Sequence, residues 1–243
     1  MTCIQPDIEF AVSYSLQPIG FVRSPYKEKF AVPRQPKLVS CATATIELTG
    51  ETNSPEALRG IEQFSHLWLL FLFDKNLTAG WKPTVRPPRL GGNQRIGVFA
   101  SRSTFRPNGI GLSAVEFRTV RQVQGKTLID VGNVDLVDGT PIIDIKPYIP
   151  YSDSIPHATG GYADSEPETI SVLFTSSAVQ SLMAIQDSEH KQKVIEQVLA
   201  QDPRPAYKKG KPDNKEYGVK LYELNVKFKI IDNHALVTAI DSL

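Results

Sequence analysis

Cysteine is nearly absent from this chain, with two in 243 residues. Cys3 and Cys41 form no Cys-x-x-Cys pair, and the four histidines, at 66, 157, 190 and 234, show no metal-ligand spacing. Neither a disulfide scaffold nor a metal site is supported, and an intracellular setting is expected. Long apolar runs are missing as well. The longest, Leu67 to Phe73, is far short of the roughly 20 residues that cross a bilayer. The opening Met-Thr-Cys-Ile-Gln-Pro-Asp lacks the basic start and apolar run of a signal peptide, so a cytoplasmic protein with no membrane partner is expected. Net charge is only +1, and 41% hydrophobic with 22% charged residues is the balance of a globular protein, not a disordered one.

Acid is missing locally, and this absence is informative. From Lys75 to Val115 there is no Asp or Glu, whereas Lys75, Lys82, Arg86, Arg89, Arg95, Arg102 and Arg106 all fall inside. Residues 1–150 hold 17 Lys and Arg against 13 Asp and Glu, and residues 151–243 hold 10 against 13. A nearly neutral chain thus carries one strongly positive segment, which suits an anionic partner. It is either a solvated basic loop or a recognition loop whose Gly91-Gly92, Pro107 and Gly109 hold guanidinium groups in place.

The rest of the first part has strand composition. Ser15 to Arg23 predicts a strand that stops at Ser24-Pro25, and Tyr26 to Pro36 reads as a polar loop. Ala42-Thr-Ala-Thr-Ile-Glu-Leu48 alternates as a half-buried strand does. Ser54-Pro55-Glu56 predicts a short helix, with Ser as cap, Pro at the first helical position and Gly60 as its exit. Ser65 to Phe73 is continuously apolar and predicts a strand buried on both faces. Residues 96–100, 112–123 and 127–131 predict further strands, the last two joined by a turn at Gln124-Gly125-Lys126. Gly109-Ile-Gly-Leu-Ser-Ala114 matches a dinucleotide-binding pattern, but that pattern opens a helix, and the residues after Ser113 alternate as a strand.

Residues 152–167, rich in Ser, Asp, Gly, Pro and Tyr, predict a surface connection, with one domain over 1–155 and another over 156–243. Thr169 to Phe174 predicts a strand. Val179, Leu182 and Met183, then Val194, Ile195, Val198 and Leu199, predict a helical hairpin ending before Pro203. Residues 217–231 and 235–240 predict a β-hairpin about Asp232-Asn233. The expected fold class is mainly β, an antiparallel barrel or sandwich followed by a small α+β C-terminal domain.

Four smaller groups carry chemistry beside a plainer reading. Asp135-Leu-Val-Asp-Gly139 is an Asp-Gly turn whose two carboxylates would also hold hydroxyls, an ammonium or a sulfonium. Asp144-Ile-Lys-Pro-Tyr148 is a strand end, or a place where Lys146 and Tyr148 flank a nucleobase. His66 is a core histidine or a site residue. Residues 202–215, with one aromatic and five cations, form a solvated loop or one that touches nucleic acid.

Taken together, Arg34-Gln-Pro36, Gly60-Ile-Glu-Gln-Phe-Ser-His-Leu-Trp68, Arg86-Pro-Pro-Arg-Leu-Gly-Gly-Asn93, Gly97 to Asn108, Asp135-Leu-Val-Asp-Gly-Thr-Pro141 and Asp144-Ile-Lys-Pro-Tyr148 closely resemble the TrmO family, once called TsaA-like or YaeB. Asp202-Pro-Arg-Pro-Ala-Tyr207 resembles a C-terminal motif of its bacterial members. The resemblance implies a dimeric β-barrel methyltransferase that uses S-adenosylmethionine and no metal. It further implies methylation of N6 of the N6-threonylcarbamoyladenosine beside the anticodon of threonine tRNA. Carried onto this chain, the donor positions would be Pro33, Arg34, Gln35, His66, Leu67, Arg102, Leu112, Asp135, Leu136, Val137 and Asp138, with Asp138, Lys146 and Tyr148 as catalytic candidates. Many relatives have Pro where Gly109 stands here. A non-catalytic RNA-binding barrel and a small-molecule methyltransferase are the alternatives.

Overall fold

The computed structural model describes residues 13–204, 208, 209 and 213–243. The first strand, β1 (Gly20–Arg23), is shorter than the expected 15–23, because Pro18 supplies no donor to a ladder and residues 13–18 lie exposed. It pairs antiparallel with β2 (Thr43–Leu48), where Ala44, Ile46 and Leu48 turn inward. Three single-turn 3-10 segments follow, over Gly50–Thr52, Pro55–Leu58 and Ile61–Gln63. Ser54 caps the second by accepting the Glu56 amide, as its sequence indicates, although the helix is too short to be α.

β3 (His66–Leu72) is the strand expected to be buried on both faces, and it is not. Leu67, Leu69 and Phe71 are buried, whereas His66, Trp68, Leu70 and Leu72 are only partly so. The strand belongs to a curved sheet with one dry side, so its apolar outer residues cover the wall instead of a second core. After α1 (Asp74–Leu77), the basic segment up to Gly109 has as its strands the two-residue β4 (Thr84–Val85) and β5 (Ile96–Gly97), which pair with each other. The strand expected over 96–100 ends at Gly97, where a 3-10 turn over Val98–Ala100 begins.

β6 (Ile110–Val123) and β7 (Lys126–Gly132) form a hairpin through Gln124 and Gly125, both at positive φ, the turn that matches strand twist. β6 starts one residue after Gly109, so the dinucleotide-like pattern indeed lies in a strand. β8 (Pro141–Pro147) pairs with β3 and with β1, so the order β1-β2-β7-β6-β3-β8 returns to its start as a closed antiparallel barrel. Ile46, Leu67, Leu69, Val115, Ile129 and Ile142 fill it.

The short helix α2 (Pro150–Asp153) leads into a mostly exposed connection. β9 (Ser171–Phe174) then enters the expected helical hairpin, α3 (Ser176–Met183) and α4 (Ser188–Ala200), which buries Ala178, Leu182, Val194, Ile195, Val198 and Leu199. The final stretch is a meander of β10 (Asp213–Leu221), β11 (Leu224–Ile231) and β12 (His234–Ser242), not a two-stranded hairpin. Its extra turn sits at Tyr222-Glu223, with Tyr222 at φ 56° and no Gly, Asn, Asp or Pro to announce it. The sheet order is β10-β11-β12-β9, with β9 parallel to β12. Among the described residues, no helix is long and apolar enough to cross a membrane.

Candidate functional site

The turn between β7 and β8 brings the first group together. Gly139, at φ 80°, reverses the chain so that Thr140 N–H donates to the Val137 carbonyl at 3.1 Å. Asp135, just before this turn, has the Ser113 hydroxyl of β6 and the Arg102 guanidinium acting on its carboxyl. Arg102 in turn donates to the side-chain oxygen of Gln35. Gln35, Arg102, Ser113 and Asp135 therefore gather from four distant stretches of chain. Burial pushes the Asp135 carboxyl up to about 6 against the opposing pull of Ser113, its own backbone amide and Arg102. Its Oδ1 is fully shielded and has no hydrogen-bond partner. A buried acceptor without a donor is costly, so this oxygen suits a cationic or hydrogen-bonding ligand.

Ser113 is absent from the expected set. Its signal was present in the sequence as a hydroxyl at an inward position of an alternating strand, where a polar group needs a partner.

Asp138 has a geometry unlike that of an open catalytic carboxylate. Its Oδ1 accepts the Ser24 amide at 2.9 Å, and its Oδ2 accepts the Lys27 ammonium at 2.9 Å. Leu136 is buried beside it, and its carbonyl accepts the Ser24 hydroxyl at 2.8 Å, while Val137 serves the turn through its carbonyl. The turn from Asp135 to Asp138 thus divides: Asp135 faces the Arg102 cluster, and Asp138 ties the turn to the segment after β1.

A second group occupies the outer wall where β3 and β8 run side by side. Trp68 lies across from Lys146, and the Tyr148 amide donates to the His66 carbonyl at 3.0 Å. The Tyr148 ring is 5.5 Å from Trp68 and 6.2 Å from His66, giving an aromatic surface. Asp153 fixes it by accepting the Trp68 indole at 3.0 Å and the Ile149 amide at 2.7 Å. Lys146 pairs with Asp144 at 3.1 Å and stays largely exposed. Leu112, on β6, is 53% exposed, while Leu67 points into the barrel and offers a site only its backbone.

Pro33 and Arg34 join a third group. They line a cavity of about 240 Å³ at the seam with the C-terminal half, together with Lys29, Gln201, Asp202 and Arg204. Asp202 and Arg204 form a buried two-pronged ion pair, with both N···O distances 2.8 Å. Burial raises the Asp202 carboxyl, but the Arg204 hydrogen bonds and charge outweigh it and hold it below the usual range. Residues 205–207 and 210–212 of the expected nucleic-acid loop lie outside the described residues.

Lys75, Lys82, Arg86, Arg89, Arg95 and Arg102 are exposed, and Arg106 is partly buried with its guanidinium on the Ser101 carbonyl at 2.7 Å. Gly109 adopts φ 61°, a conformation closed to proline, and a Cβ there would strike Leu77.

A charged cluster about Asp135 and Arg102, an aromatic surface on the outer wall and a cationic segment define a β-barrel protein suited to an anionic polymer and a small charged ligand. The comparisons narrow this class. A family model described as the tRNA-methyltransferase O N-terminal domain matches residues 21–154, and the TrmO C-terminal domain matches residues 167–243. The chain belongs to the tRNA-methyltransferase O family, as its motifs indicate. It is 50% identical over 222 residues to the tRNA (adenine(37)-N6)-methyltransferase of Escherichia coli K12, covering 90% of this chain and 94% of that protein. A Pseudomonas aeruginosa protein named a putative S-adenosylmethionine-dependent methyltransferase RcsF is 46% identical over 222 residues, covering 88% of this chain and 92% of that one. The crystal structure of TrmO from P. aeruginosa superposes with a TM-score of 0.76 at 38% identity, over 95% of this chain and 99% of that one.

Proposed function

We propose that this chain is a tRNA methyltransferase acting on N6 of the N6-threonylcarbamoyladenosine next to the anticodon of threonine tRNA. Bound S-adenosylmethionine would supply an activated methyl group on a sulfonium. The observation that carries the reading is the shielded, unpartnered Asp135 Oδ1 beside Arg102 and Gln35: a carboxylate suits the cationic donor, and Arg102 suits its carboxylate. His66, Leu112 and the 135–138 turn complete the donor contacts in this reading. Lys146 and Tyr148, with Trp68 beneath them, would hold the base by charge and stacking, which aligns the accepting nitrogen. The exposed cations of 75–106 would take the phosphates of the anticodon stem-loop.

In the same reading the barrel domain spans 1–155 and the α+β domain 156–243, and the protein works in the cytoplasm as a homodimer. The test is mass spectrometry of nucleosides from threonine tRNA incubated with the protein and the donor. A gain of one methyl on threonylcarbamoyladenosine, lost in Arg102→Ala together with donor binding, is expected. Donor binding without methylated nucleoside would point instead to a small-molecule substrate, and no binding at millimolar donor to a non-catalytic barrel.

A further inference from the structure

The segment Ser24–Glu28 is bonded on both of its sides. Toward the site, the Ser24 amide and the Lys27 ammonium each reach the Asp138 carboxylate at 2.9 Å, and the Asp138 amide donates to the Tyr26 carbonyl at 2.8 Å. Toward the C-terminal half, the Tyr222 amide donates to the Pro25 carbonyl at 2.7 Å, and the Lys27 amide to the Lys220 carbonyl at 3.3 Å. The Lys220 amide donates to Glu28 Oε1 at 3.0 Å, and Tyr26 forms a bridge with Leu221, its side chain wholly buried.

We infer that Lys27 is a positioning residue for the methyl donor, and that the turn between β10 and β11 sets donor affinity by holding the segment that carries it. Lys27 reaches no reacting atom in this scheme. It holds Asp138, which fixes the backbone of the turn that presents Asp135. The inference rests on Asp135 being a donor contact. The C-terminal sheet therefore influences the donor without lending it a side chain, through one strap whose two edges are both occupied.

The experiment compares wild type with Lys27→Met, Lys27→Arg and Glu28→Ala, measuring donor Kd by calorimetry and separate KM values for donor and tRNA. Lys27→Met should raise donor Kd and KM by about 3- to 30-fold, the span of mutations that act through a neighbour. Its kcat at saturating donor and its tRNA KM should stay within about twofold. Lys27→Arg should recover most of the donor affinity, because its charge still reaches Asp138. Glu28→Ala, which touches only the far edge, should weaken donor binding in the same direction and carries the test if Lys27→Met does not fold. If Lys27→Met binds the donor as wild type does while Arg102→Ala does not, the positioning role is wrong and the donor site stands. If Arg102→Ala and Asp135→Asn also bind normally, both fall. Equal losses in donor affinity, tRNA affinity and kcat would mark a general structural defect and overturn the inference.

Discussion

Asp135→Asn should make the protein more stable and a poorer binder of its donor at the same time. Burial raises the Asp135 carboxyl from 3.8 to about 6. Each tenfold change in proton affinity corresponds to about 1.4 kcal/mol, so the ionised carboxylate costs the fold up to about 3 kcal/mol at neutral pH. The folded carboxyl holds its proton more tightly than the unfolded one does. The cost is therefore absent below about pH 4, grows between pH 4 and 6, and is complete above that. Asparagine is isosteric but carries no charge to desolvate. For a chain of this size each kcal/mol moves the melting temperature by roughly 2–4 °C, so a gain of up to about 6–12 °C is expected at pH 7.5 and almost none near pH 4. Differential scanning calorimetry of both proteins across that range measures it, and titration calorimetry should show donor affinity reduced by about tenfold or more. A difference in melting temperature that does not change with pH, or a variant less stable at pH 7.5, would refute the reading of Asp135 as a strained buried carboxylate. Unchanged donor affinity would refute its role.

Other outcomes follow from the same geometry. Asp202→Asn removes the carboxylate that accepts both 2.8 Å hydrogen bonds from the Arg204 guanidinium and should cost about 1–3 kcal/mol, read as a lower calorimetric melting temperature. Gly109→Ala forces a side chain into left-handed backbone and against Leu77, and should destabilise by about 1–3 kcal/mol in urea unfolding. Lys82, Arg86 and Arg95 changed together to Ala should weaken tRNA binding and make its dependence on log salt shallower by about 3; an unchanged slope in filter binding would remove this face from the RNA contact.

The sequence alone specified what depends on neighbours along the chain. Period-two alternation marked β2, β6 and β7, helical spacing marked α3 and α4, and Asp138-Gly139 marked its turn, because side-chain period and glycine's access to positive φ are local properties. Motif order was enough to place the chain in its family, and the acid-free stretch marked a cationic segment before any contact was known. Where local signals were weak, the reading slipped: Tyr222 turns the chain without a turn residue, and the apolar run of β3 looked the same whether one face was dry or two. Tertiary structure alone decided which charged groups meet. Gln35, Arg102, Ser113 and Asp135 converge only because β6 and β7 pair in one register and the barrel closes through β1 and β8. Asp135 and Asp138, alike in sequence and three residues apart, were separated by burial. One lost water and gained no partner for its inner oxygen, and the other was taken up by Ser24 and Lys27. Desolvation and pairing depend on what the rest of the chain places within a few ångströms, and no periodicity records that.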